Sequence, residues 1–296
     1  MNEAPDSIPI FIMSHNDLVS LRLCLRALVS RTLRSYRLVI VDNGSTDPKL
    51  GRYLDRLACL TRVEIWRNRF NLWVLGLNRA VRAWSRSSSD DALFVLTDCD
   101  ILVPPPRQGL CWLTRLETSM ERYACVGKLG LSLDLGFIRT RPQFRHTYER
   151  ERFFTEGPRI GELVIAPVDT TLAIYRKSLF VSTHPLFIPT HQGLHRPHLY
   201  CCRTAPDFQA KHLSWRFYTH RSEVDVVNKM FCFALLGATV VPAVTESAPF
   251  HARCFYFLVR PLARVFWGSI AAGLQAIYLL KTIPRGLNRL QSSRRA

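Results

Sequence analysis

Leu38-Val39-Ile40-Val41-Asp42-Asn43-Gly44-Ser45-Thr46-Asp47-Pro48 runs from four apolar residues straight into a polar turn holding two carboxylates, an amide and a glycine. The apolar run has the length of a buried strand, and Asn-Gly followed by Ser, Thr, Asp and Pro is turn and helix-start chemistry. The same grammar recurs on both sides. Ile8 to Met13 leads into Ser14-His15-Asn16-Asp17, Val63 to Trp66 into Asn68 to Asn71, and Leu93 to Leu96 into Thr97-Asp98-Cys99-Asp100. Between these strands, Leu18, Leu21, Cys24, Leu25 and Leu28 recur at helical spacing, and further helices are expected over about Leu50 to Leu60 and Val74 to Trp84. Alternating strands and helices joined by right-handed crossovers predict a mainly parallel, Rossmann-like α/β sheet flanked by helices. Ligands of such sheets bind beyond the carboxyl ends of the strands. Ser14, Asn16, Asp42 and Asp98 all fall there, in loops whose polarity suits the base and ribose of a nucleotide.

Asp98 and Asp100 stand at i and i+2 in an extended turn, so together they can reach one divalent cation and one ribose. Hard oxygen ligands of this kind suit Mg²⁺ or Mn²⁺. A lone Asp-x-Asp is commonly a cap or a solvated turn. At the tip of a buried strand, beside the acidic Asp42 to Asp47 loop, the ligand-binding reading is favoured.

The second half is less regular. Cys125 to Leu135, Leu163 to Tyr175 and Phe231 to Val241 read as further sheet or core, while Arg139 to Pro158 and His184 to Pro206 read as loops on the substrate side. His184, His191, His195 and His198 cluster, but Pro185, Pro189, Pro197 and Gly193 argue against a metal-binding helix there.

Pro9 to Asn16, Val39 to Asp47 and Leu96 to Asp100, together with the Asn68 to Asn78 stretch containing Gly76, resemble the family 2 glycosyltransferases of the GT-A fold. The likeness is dense over about the first 105 residues and looser beyond. It implies transfer of a sugar from a nucleotide sugar, UDP being the expected nucleotide, to an acceptor hydroxyl of a glycan, a lipid-linked molecule or another compound, with inversion and with Mn²⁺ or Mg²⁺. By position, Asp42 would contact the base, Asp98 the ribose or metal, and Asp100 would be the main metal ligand. A His in the C-terminal half is the implied further ligand, with His212 in Lys211-His212-Leu213-Ser214-Trp215 preferred to His198. Inverting transfer needs a carboxylate base. Asp169, at the head of an apolar strand, is the first choice, with Glu223 and Asp225 next; a strand-entry turn is the structural alternative for Asp169.

Charge and cysteine usage bound the remaining possibilities. Lys plus Arg number 40 against 23 Asp plus Glu, a net charge of +17, and 48% of residues are hydrophobic, so disordered and low-complexity classes are excluded. No acid follows Glu246, whereas Arg253, Arg260, Arg264, Lys281, Arg285, Arg289, Arg294 and Arg295 do. Val265 to Leu280 carries no charge but is shorter than the ~20 residues a spanning helix needs. A basic amphipathic helical tail is expected, either interfacial on an anionic membrane or packed on the core. Nucleic acid is the weakest partner, for no zinc-finger spacing or RNP-like aromatic motif occurs. Nine scattered Cys without a CxxC pair and a polar N-terminus predict a cytoplasmic chain, for which the basic tail suggests a peripheral place on the membrane's cytoplasmic face. The expected organisation is a nucleotide-sugar half over residues 1–105, an acceptor half over 106–250 and the tail over 251–296. The competing readings are a catalytically silent nucleotide-sugar binder and a basic membrane- or nucleic-acid-associated scaffold. A sugar-phosphate nucleotidyltransferase is disfavoured because Ser14-His15-Asn16-Asp17 lacks the Gly-rich loop that class requires.

Overall fold

The computed structural model describes residues 7–89, 91–168, 172–180, 201–215, 223–240 and 242–292. The first part alternates as expected: β1 (Ile8–Ser14), α1 (Leu18–Arg31), β2 (Tyr36–Asn43), α2 (Pro48–Leu57), β3 (Val63–Asn68), α3 (Asn78–Ser87) and β4 (Leu93–Asp98). Then follow β5 (Ile101–Leu102), α4 (Trp112–Arg122), β6 (Lys128–Gly130), β7 (Ser132–Leu133), α5 (Arg145–Phe153), β8 (Arg159–Ile160), β9 (Leu163–Ile165) and β10 (Leu172–Arg176). The chain continues through α6 (Lys177–Phe180), β11 (Cys201–Arg203), β12 (Gln209–His212), α7 (Glu223–Leu235), α8 (Pro242–Ser247) and α9 (Phe250–Ser292).

The central sheet has the order β3-β2-β1-β4-β10-β6-β11-β9-β8. Its first four strands are parallel, and β10 runs antiparallel to both β4 and β6. Register fixes the site: Ser14 pairs with Asp42, Met13 with Asp98, and Asn43 with Asn68, so these carboxyl ends lie side by side. Successive β1 residues face opposite ways. Ile10 and Ile12 enter a core with Leu21, Leu28 and Trp112, while Phe11 joins Val81, Trp84, Phe94 and Tyr175 on the other face. β5 and β7 sandwich β12 in a small second sheet.

Helix starts follow capping chemistry. Asp17 accepts from Ser20 N at 2.9 Å to cap α1, and Asp47 accepts from Lys49 N at 2.8 Å to cap α2, with Pro48 in the first turn. The helix expected from Val74 is split into a 3-10 turn, Trp73–Leu77, and α3. Gly76 lies in that 3-10 turn, packed so closely that an added Cβ would stand 2.3 Å from Asn43 Oδ1. Contrary to the loop expected over Arg139 to Pro158, α5 lies in that stretch. Its sequence lacks a broad apolar stripe, but Glu151 is buried and bonds Arg203 Nη1 of β11 at 2.6 Å. That same β11 shows that the proline-rich stretch expected as loop ends in a strand. Phe231 to Val241, expected as sheet or core, includes the end of α7 and a turn at Gly237, φ +67°.

Candidate active site

Two loops are knitted together at the ends of β1 and β2. Asn16, at φ +49°, accepts through Oδ1 from Thr46 N (2.8 Å) and Asp47 N (3.1 Å), and its own N–H donates to Ser45 Oγ at 2.9 Å. Its side chain therefore shapes the cleft wall. Asp42 is buried, with Oδ1 accepting from Ser45 N at 3.1 Å. An ionised carboxylate accepts only, so Asp42 suits a base that presents a ring N–H. Ser14 is buried deeper, and its Oγ has no hydrogen-bond partner among the described residues.

Beneath this wall, Asn43 is a hub that sequence reasoning did not single out. Nδ2 donates to Asn71 Oδ1 at 2.9 Å and Trp73 O at 3.0 Å, while Oδ1 accepts from Asn68 Nδ2 and Leu72 N, both at 3.1 Å. Asn68 Nδ2 also reaches Gly76 O at 3.1 Å. The available signal was Asn43-Gly44 at the end of β2, with Asn recurring as Asn68 at the end of β3.

Asp98 closes β4 and Asp100 follows in the turn. Backbone pairing of His212 with Ile101, and Leu213 N donating to Asp100 O at 2.7 Å, bring β12 alongside this turn. His212 Nδ1 consequently stands 3.4 Å from Asp100 Oδ2 and 2.9 Å from Ser214 Oγ. Its ring stacks on Trp215 with centroids 5.1 Å apart and planes 12° from parallel, which fixes its orientation. Asp100 Oδ1 is buried without a hydrogen-bond donor among the described residues. A buried carboxylate oxygen left this way is costly, and a cation would satisfy it. The surrounding field is negative: burial first, then Asp100 and Asp98, push the Cys24 thiol far above its ordinary range, and burial followed by Asp100 does the same to Cys99. Among the described residues no three His, Cys, Asp or Glu side chains gather closely enough to hold a metal by themselves. The Asp100–His212 pair nonetheless fits a cation that takes one or two carboxylates and completes its shell with substrate phosphates.

The acidic residues of α7 separate. Glu223 is exposed, whereas Asp225 Oδ1 lies 3.0 Å from His15 Nε2 and accepts from Asn71 Nδ2 at 3.1 Å. His15 Nδ1 in turn donates to Asn43 O at 3.0 Å. Asp225 thus clasps the β1 loop to the Asn43 network. Asp169 and the His184 to His198 cluster lie outside the described residues. The described flanks of Asp169 are anchored, for Val168 O accepts from the buried Lys128 Nζ at 2.6 Å and Leu172 pairs with Thr97, next to Asp98.

The glycosyl transferase family 2 model matches residues 10–182, more than half of the chain, and the chain belongs to that family. Its sheet, parallel through β3-β2-β1-β4 and joined there by antiparallel β10, is the GT-A arrangement. No curated protein matches the sequence. Solved structures similar to it include the mannosyltransferase PcManGT of Pyrobaculum calidifontis in complex with GDP-Man and Mn²⁺, at 14% identity and TM-score 0.47, over 98% of this chain and 79% of that one. Residues 1–349 of S. aureus TarS match at 14% identity and TM-score 0.46, over 85% of this chain and 70% of that one. GalNAc-T7 with UDP, GalNAc and Mn²⁺ matches at 14% identity and TM-score 0.47, over 86% and 54%.

Proposed function

We propose that the protein transfers a hexosyl group from a UDP-sugar to an acceptor hydroxyl, with inversion at the anomeric carbon and dependence on Mn²⁺ or Mg²⁺. The observation that carries this reading is the convergence of His212 on Asp100, 3.4 Å apart, just past the end of β4, which only β1 separates from β2, the strand that leads to Asp42. Asp42 accepts the ring N–H of the base, and Asp98 accepts from the ribose. Asp100 and His212 would hold the metal, which when bound neutralises charge growing on the departing diphosphate.

Asp169 takes the proton from the acceptor hydroxyl as its oxygen bonds to the anomeric carbon. The bond from that carbon to the diphosphate oxygen breaks with its electron pair going to the nucleoside diphosphate, and configuration inverts. What supports Asp169 over Asp225 is that the Asp225 carboxylate already faces His15 and Asn71. The acceptor is a hydroxyl of a glycan or a lipid-linked compound. Incubating the full chain with Mn²⁺ and panels of UDP- and GDP-sugars tests this reading. Nucleoside diphosphate should be released from a UDP-sugar, and Asp100→Ala should abolish release. Silence with every donor in the presence of acceptor mixtures would favour a non-catalytic nucleotide-sugar binder instead.

A further inference from the structure

α9 is anchored at one end and uncovered at the other. Ala252 and Tyr256 are buried against α7 and α8, and the Tyr256 hydroxyl accepts from Val240 N at 3.1 Å and donates to Ala238 O at 3.2 Å. Gly237 sits so close that a Cβ there would meet the Arg264 backbone at 2.5 Å, and Trp267 Nε1 donates to Leu235 O at 2.9 Å. Past that bond the helix runs 25 more residues, Gly268 to Ser292, roughly 37 Å at helical rise.

Leu258, Leu262, Val265, Ala272, Ala276 and Leu280 recur at helical spacing along one face, and all are exposed. Leu258, Leu262, Val265 and Leu280 are each more than 70% exposed. Ser269, which turns its hydroxyl back onto Val265 O, interrupts this face, yet soluble monomers rarely leave so long an apolar surface uncovered. Charge identifies the occupant. α9 carries Arg253, Arg260, Arg264, Lys281, Arg285 and Arg289 and no acid, and Arg260 and Arg264 lie round the helix from Leu258 and Val265. A second copy would set cation against cation with nothing in the helix to pair them. A bilayer of anionic lipid answers both features, apolar face and cations together. No helix among the described residues is long and apolar enough to cross a membrane.

We propose that α9 docks the protein on an anionic lipid surface, with the Leu258 to Leu280 stripe in the acyl boundary and the cations at the headgroups. Each cation near such a surface is worth roughly a fivefold gain in partitioning. The test is flotation of the full chain with vesicles of phosphatidylglycerol and phosphatidylcholine in equal parts, against phosphatidylcholine alone. The protein should float with the first, and binding to the second should be weaker by at least about tenfold. Leu262→Ser/Val265→Ser/Phe266→Ser should lower flotation by about tenfold or more while circular dichroism and melting temperature stay unchanged, because these side chains are exposed. Arg285→Gln/Arg289→Gln leaves the apolar face intact and should weaken binding to anionic vesicles alone. Equal flotation on both vesicle types, no flotation, or undiminished flotation of both variants overturns the proposal. So does a concentration-dependent dimer, seen by sedimentation equilibrium, that the triple variant dissolves.

Discussion

The parallel half of the sheet and the half beyond β4 hold their functional groups by different means. In the first, residues close in space belong to neighbouring strand ends, and neutral amides tie them together: Asn16 to the Thr46–Asp47 turn, Asn43 to Asn68 and Asn71. In the second, ionisable side chains bridge distant segments, as in Arg203 with Glu151, Lys128 with Val168 O, and His212 with Asp100. Amide networks fix a binding surface without a net charge, whereas buried charges commit a region to a partner and fail severely when one member is removed.

Activity tests this contrast most strongly. Asp100→Ala should reduce nucleoside diphosphate release by about a thousandfold or more, judged by loss of a metal-linked group from the transition state. His212→Ala should follow it in the metal titration; an unchanged metal dependence would detach the second half from the site. Asp169→Asn should lower kcat by about 10²- to 10⁴-fold with little change in UDP binding by calorimetry. If Asp225→Asn produced that loss and Asp169→Asn did not, the base would belong to α7.

Stability separates the halves next. Glu151→Ala removes the partner of a buried guanidinium, 5% exposed, and should cost about 3–5 kcal/mol in urea unfolding. In the amide half, Gly76→Ala drives a methyl against Asn43 Oδ1 and should cost about 1–3 kcal/mol. A larger loss for Gly76→Ala than for Glu151→Ala would reverse the contrast. The smallest effect lies in thiol chemistry. Exposed Cys59 should alkylate first at mildly alkaline pH, while Cys24 and Cys99 resist in the folded state, because burial raises their thiols. Cys232, raised to about 11 by burial, should also lag.

What the sequence made legible follows the same division. β1 to β4, and the placement of Asp42, Asp98 and Asp100 at strand ends, were readable because an apolar run followed by a polar turn is a local pattern. His212 was reached through family likeness, and the β5–β12 pairing sets it beside Asp100. α5 was missed because its burial depends on Arg203, 52 residues away from Glu151 and invisible to any local window. The split before α3 was missed for a related reason: the apolar spacing from Val74 is helical, and the packing of Asn43 and Asn68 against Gly76 is a contact between distant segments. Asn16 was expected to contact ligand, yet its side-chain oxygen organises the facing turn.

The pairing of His212 with Ile101 also has a consequence for synthesis. The Asp98–Asp100 turn leaves the ribosome long before β12 exists, so a growing chain carries its cleft walls before the strand that closes on Asp100. Contacts this distant in sequence form late. His212 therefore reaches Asp100 only after the whole stretch between β5 and β12 has been made, so this corner of the molecule is the last of the strand-end cluster to take shape.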